Sequence, residues 1–160
     1  MLNPAFFKRK VYISGALTGV PHPEATKRKY EKLGELCQAL GLNAYVPHLH
    51  TDPVAHPYVT SREVYEADKF QVITSHLVIA CVDYPSLGVG QEIEIAREHN
   101  VPVVLLCQKD RSLSRMARGS PGVIAEIRYE DLADALRQTS QFLEQHFSHY
   151  ISQPMFRGWS

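Results

Sequence analysis

The sequence predicts one three-layer α/β domain on a five-stranded parallel sheet with strand order 2-1-3-4-5. Three observations carry that expectation. Short apolar runs alternate with segments of helical periodicity, the pattern of parallel strands joined by right-handed crossovers. Two runs, residues 77–82 and 101–107, are almost wholly apolar, as strands covered on both faces are. The length of 160 residues with 44% hydrophobic content is enough for one core.

The elements follow in order. A first strand is expected at 10–14, followed by Gly15 and Gly19 in a loop. Residues 24–40 read as a helix because Tyr30, Leu33, Cys37 and Leu40 recur at three- and four-residue steps, and Gly41 supplies its stop. A short strand at 43–46 ends at Pro47. Residues 47–60, with three prolines and three histidines, are expected as a long irregular loop of functional kind. Thr60 and Glu63 have capping-box spacing, which starts a helix over 61–74. After the strand at 77–82, a Gly-rich turn at 85–90 leads into a helix at 91–100, and the strand at 101–107 follows. Residues 123–128 form the last strand. Residues 131–147 form a closing amphipathic helix with Leu132, Leu136, Thr139, Leu143 and Phe147 inward. The domain is expected to span 1–147, and 148–160 to be an extended tail that docks on a neighbouring subunit.

Charge and cysteine content narrow the function. Seventeen basic and 17 acidic residues cancel, so the chain lacks the electrostatic footprint of a partner for nucleic-acid polymers or anionic membranes. No apolar run is long enough to span a bilayer, and Lys8, Arg9 and Lys10 precede no signal-peptide core. Three cysteines without a Cys-x-x-Cys pair read as buried reduced thiols, so a soluble cytoplasmic protein is expected.

In open α/β sheets the ligand sits outside the C-terminal strand ends, where the strand order reverses. The loops at that point are 14–19 and 83–90. Gly88 and Gly90 allow close approach of backbone, the amides of the following helix favour an anion, and Ser86 adds a hydroxyl. The plainer reading is a tight turn that needs glycine. The Walker lysine and the dinucleotide glycine spacing are both missing. Glu92 reads as a first-turn carboxylate kept ionised by the helix dipole, a candidate nucleophile or stabiliser of an oxocarbenium-like centre, against the alternative of a surface glutamate. Glu94 reads as a surface group. Asp68 lies four residues from Val64 and from Val72, on the apolar stripe of its helix. Burial there would raise its pKa and suit proton transfer, the alternative being a structural carboxylate. Tyr12 could orient a carboxylate or simply pack. His48, His50, Asp52 and His56 read as loop lining in preference to a zinc site, and no cofactor or metal is expected.

Taken together, Val11-Tyr12-Ile13-Ser14-Gly15, the Asp68 helix, the string from Pro85 to Glu92, and Leu113-Ser114-Arg115-Met116 with Arg118-Gly119 resemble the nucleoside 2-deoxyribosyltransferase superfamily. Its 2'-deoxynucleoside 5'-phosphate N-hydrolase branch looks most similar. The resemblance runs from about residue 11 to 147 and implies a flavodoxin-like fold, metal-free cleavage of the N-glycosidic bond of a nucleoside or nucleotide, and a homodimer or higher homo-oligomer. It implies that Glu92 attacks the anomeric carbon, that Asp68 assists base departure and activates water, and that Tyr12 positions the nucleophile. Ser86 and Gly88 match phosphate-loop positions, and Ser114 matches a serine that reaches a phosphate across the dimer interface. Ser14, Gly15, Gly90 and Met116 belong to the same strings and are expected to line the substrate. The alternatives are base exchange by a transferase and a non-catalytic nucleotide sensor. The chain departs from the hydrolase pattern at Ala16 and Thr18, which replace a serine and an arginine, and at Glu94, which replaces a glycine. The 47–60 loop is also unlike that branch and is expected to contribute to base selection.

Overall fold

The chain folds as β1 (Lys10–Gly15), α1 (Pro23–Ala39), β2 (Asn43–Tyr45), α2 (His48–Thr51), α3 (Ser61–Ile73), β3 (Leu77–Cys81), α4 (Leu87–Glu98), β4 (Val103–Gln108), α5 (Arg115–Arg118), β5 (Val123–Tyr129), α6 (Leu132–His146) and α7 (Ser148–Ile151). The computed structural model describes residues 8–151, with side chains through His149. The five strands form one sheet of order β2-β1-β3-β4-β5, and every pair is parallel. The expected sheet is therefore the observed one.

Alternation along each strand divides the core into two layers. Val11 and Ile13 of β1 pack with Tyr30, Leu33 and Cys37 of α1 and with Ala135 and Leu143 of α6. Tyr12 points the other way, into a layer with Val72 of α3 and Val89 and Ile93 of α4. β3 and β4 are buried along nearly their whole length, which explains their continuous apolar sequence. Cys37, Cys81 and Cys107 are buried and free; burial pushes the Cys37 thiol up to about 12.

Local signals account for the element ends. Thr60 and Glu63 form the expected capping box, with the Glu63 amide on Thr60 Oγ1 and the Thr60 amide on Glu63 Oε2. Gly41 follows α1 with φ of 79°, which a residue with a Cβ resists. Three expectations need correction. Residues 48–51 are helical, because Thr51 Oγ1 and the His50 and Thr51 amides all close on the Pro47 carbonyl. The segment 115–118, for which no element was expected, is likewise one helical turn, capped by Ser114. In α6, Leu132 is half exposed and Ala135 takes the inward place, since the buried stripe is Ala135, Thr139 and Leu143. The described start of the 148–160 segment is the helical turn α7, and 152–160 lie outside the described residues.

Candidate active site

The start of α4 differs from the expected turn. Ser86 is the N-cap, its Oγ accepting the Val89 amide at 3.3 Å, and the helix begins at Leu87. Gly88 and Gly90 are thus helical, with neither at positive φ. A Cβ at Gly88 would meet only Ser86 Oγ, at 3.8 Å, and one at Gly90 would meet nothing within 4 Å. The fold's own packing does not require either glycine; they leave the helix start bare on its open side. The earlier start also moves Glu92 beyond the first turn, which contains no acidic residue. The helix dipole therefore does not set its charge, because that effect fades within one turn.

What holds Glu92 is β1. Tyr12 and Ser14 lie two residues apart on one face of the strand. The Tyr12 hydroxyl donates to Glu92 Oε1 at 2.7 Å, and the Ser14 hydroxyl donates to Oε2. Each carboxylate oxygen is so aimed by a separate donor on a rigid central strand. Burial pushes the Glu92 carboxyl up to about 7; the Ser14 and Tyr12 hydrogen bonds pull it back, and the charge of Asp68 pushes it further. Tyr12 is held well above the ordinary tyrosine range by burial and then by Glu92 and Asp68, so it remains a donor.

Asp68 reaches the same site from α3. Its Oδ1 is buried and has no hydrogen-bond partner among the described residues. Burial alone pushes its carboxyl up to about 6. An unpartnered carboxylate oxygen in an apolar setting is costly when ionised and readily holds a proton. The charge of Asp68 in turn acts on Glu92.

The remaining predicted residues divide. Ser86, Gly90, Ser114 and Met116 line one cleft of about 840 Å³, with Leu113 and Ile93 among its apolar walls. Tyr12, Asp68 and Glu92 are not in those walls. A second cleft, of about 480 Å³, lies at the ends of β4 and β5 and also excludes them. Gly15 is not part of either: it packs against the Tyr30 ring, where a Cβ would overlap the ring. Ser114 Oγ accepts the Ala117 amide at 3.3 Å, so it caps α5 and keeps its own proton to donate. Glu94 is exposed and pairs with Arg97 at 2.6 Å, leaving the helix–sheet contact to Ile93 and Ala96.

The histidine loop also resolves. His48 Nε2 meets Glu31 Oε1 at 2.8 Å, and Lys27 meets Asp52 at 2.5 Å. The Lys27 hydrogen bond is the main reason that the Asp52 carboxyl falls to about 2. His50 faces Tyr45 instead. Among the described residues no three His, Cys, Asp or Glu side chains converge as metal ligands.

Two features escape sequence reasoning. Ser14 reads as a substrate contact, yet in the structure it holds Glu92. At the end of β3, Asp83 accepts the Gln108 amide at 2.7 Å and the Tyr129 hydroxyl at 2.5 Å, and it pairs with Lys29. That buried cluster pins the strand end from which the 83–86 loop departs. An acidic residue directly after an apolar strand was the available signal.

Comparison with known proteins bears on the family and the fold. The family model described as nucleoside 2-deoxyribosyltransferase matches residues 11–145. A Methanosarcina barkeri protein, provisionally named 2'-deoxynucleoside 5'-phosphate N-hydrolase 1, is 30% identical over 84% of this chain and 84% of its own. A Thermofilum pendens protein with the same provisional name is 31% identical over 84% of this chain and 94% of its own. Among solved structures, the Clostridium botulinum CMP N-glycosidase BcmB superposes with a TM-score of 0.66 at 19% identity, over 84% of this chain and 100% of that one. A 2-deoxyribosyltransferase from Bacillus psychrosaccharolyticus does so at 0.57 and 16% identity, over 79% and 90%. At those identities the two structures share the fold.

Proposed function

Because the chain belongs to the nucleoside 2-deoxyribosyltransferase family, we propose that it is an N-glycosidase that hydrolyses a nucleoside or nucleoside 5'-monophosphate through a glycosyl ester on Glu92. The single observation that carries this reading is the Glu92 carboxylate held by two hydroxyls of β1 within the field of Asp68, whose buried oxygen has no hydrogen-bond partner among the described residues.

In the first half-reaction a Glu92 oxygen bonds to the anomeric carbon, the bond from that carbon to the base nitrogen breaks, and the proton on Asp68 passes to the departing base. In the second, water attacks the same carbon, Asp68 takes its proton, and the bond to Glu92 breaks. Glu92 must be ionised and Asp68 protonated at the outset. Burial pushes both carboxyls up, to about 7 and about 6, so a single proton on the two rests mainly on Glu92 and the reactive form, with that proton on Asp68, is the minor one. Positive charge developing on the sugar favours the microstate with the proton on Asp68.

The names of the relatives support a 2'-deoxynucleoside 5'-phosphate as substrate. Ser86 and the bare glycines at the start of α4 are the proposed seat of the phosphate. Leu87 and Met116 are about nine-tenths exposed beside that cleft, which suits coverage by a second copy in a homodimer. Transfer to a second base would use the same intermediate, with the base in place of water.

Native mass spectrometry with a 2-fluoro-substituted substrate, whose turnover is slowed by the electron-withdrawing group, tests both points. The expected species is a dimer carrying one sugar per chain, mapped by proteolysis to Glu92. A monomer would overturn the dimer, and a sugar on another residue would overturn the role of Glu92.

A further inference from the structure

The hydrogen bond from Tyr12 to Glu92 is backed by a column of rings. The Tyr12 and Tyr45 rings stack at 5.7 Å with planes 16° apart, and Tyr45 and His50 stack at 4.6 Å with planes 7° apart. Tyr45 is the last residue of β2, and His50 lies on α2. Two residues along a helical turn point to nearly opposite sides, which separates the duties of the two α2 histidines. His48 turns to α1, where it meets Glu31 and the Tyr30 ring. His50 closes the outer face of Tyr45. The Lys27–Asp52 pair and the bonds from the Val54 and Ala55 amides to Asp52 fix the segment that follows α2.

Tyr12 itself is fully buried in β1, but its hydroxyl reaches Glu92 only if its ring keeps its tilt. Tyr45 supplies one wall against that tilt, and His50 supports Tyr45 from the solvent side. We infer that Tyr45 and His50 are positioning residues, acting through Tyr12 to hold the Glu92 carboxylate in its reactive orientation and making the 47–60 loop a brace for the nucleophile. The inference rests on the role proposed for Glu92, and it goes beyond it by assigning work to residues that need not touch the substrate. Tyr45 also lies within the field of Asp68, which together with burial raises its own pKa, so the column borders both carboxyls.

The consequence is electrostatic. The groups acting on the Glu92 charge are Tyr12 and Ser14 from β1 and Asp68 from α3. The Tyr12 bond favours the ionised form. A variant that loosens it raises the Glu92 pKa, and one that only loosens the loop leaves it unchanged. A ¹³C NMR titration of the glutamate side-chain carboxyls, with Glu92 assigned by its loss in Glu92→Gln, reads this without requiring turnover. Tyr45→Leu and His50→Ala are expected to move Glu92 upward by roughly half a unit, the effect of losing part of one charged hydrogen bond. Tyr45→Phe and His50→Phe, which keep the rings, are expected to leave it in place. His50 is exposed, so His50→Ala provides a folded test if Tyr45→Leu does not fold. Equal Glu92 titration in wild type and His50→Ala would overturn the brace. Absence of base release by wild type would instead count against the proposed reaction while the titration still decides the brace.

Discussion

Glu92 is a carboxylate whose surroundings cost stability when it is charged. Its pKa in the fold, about 7, stands above the ordinary 4.5. The folded state therefore prefers the protonated form. The stabilisation is complete below the unfolded value and is lost as pH rises through about 7. Glu92→Gln, neutral at every pH, escapes that loss. It is expected to melt near the wild type at pH 5 and to be more stable at pH 8 by roughly 1–3 kcal/mol, read from paired thermal melts. An unchanged difference between the two pH values would show that the carboxyl is not held in this environment. At this scale the sequence was informative about Asp68, since the four-residue spacing from Val64 and Val72 requires a buried edge. It was less informative about Glu92, because the Ser86 cap starts the helix early and removes the dipole argument. The Ser14 bond to Glu92 was not legible for a different reason: a serine at a strand end carries no mark of which partner its hydroxyl will choose.

At the scale of elements, the start of α4 is the most informative segment. Glycine in a helix costs about 1 kcal/mol relative to alanine, and Gly90 has open space where a Cβ would stand. Gly90→Ala is thus expected to stabilise the fold by up to about 1 kcal/mol while weakening substrate, seen as a higher KM. A KM unchanged from wild type would mean that no ligand approaches that surface. The long amphipathic helices α1, α3 and α6 were legible because two or more turns of periodicity identify them, and the Thr60–Glu63 box located one start to the residue. The turns α2 and α5 span four residues each, too short for any period to register. They are specified by caps and by contacts distant in sequence, such as His48 with Glu31, which residue patterns do not reveal.

For the whole molecule, strand order followed from connectivity, since alternating strands and helices with right-handed crossovers leave few arrangements. The same order puts the ends of β1 and β3 side by side, brings Tyr12 and Ser14 beneath Glu92, and leaves α3 to deliver Asp68. The meeting of Tyr12, Asp68 and Glu92 at one candidate site was therefore legible in the sequence. Its internal hydrogen bonding was not, because it depends on the rotation of α4 about its axis. Thr18 is exposed, and the Ala16 carbonyl is occupied by the Tyr30 hydroxyl at 2.9 Å, so the first loop brings no guanidinium to an anion. The central claim, an N-glycosidase that works through Glu92, is tested most directly by base release. Ribo- and deoxyribonucleosides and their 5'-monophosphates are incubated with wild type and Glu92→Gln, and free base is read by chromatography. The account predicts release by wild type from at least one member and a loss of at least roughly 10³-fold in the variant. Full activity in Glu92→Gln, or no release and no base exchange with any member, would contradict it.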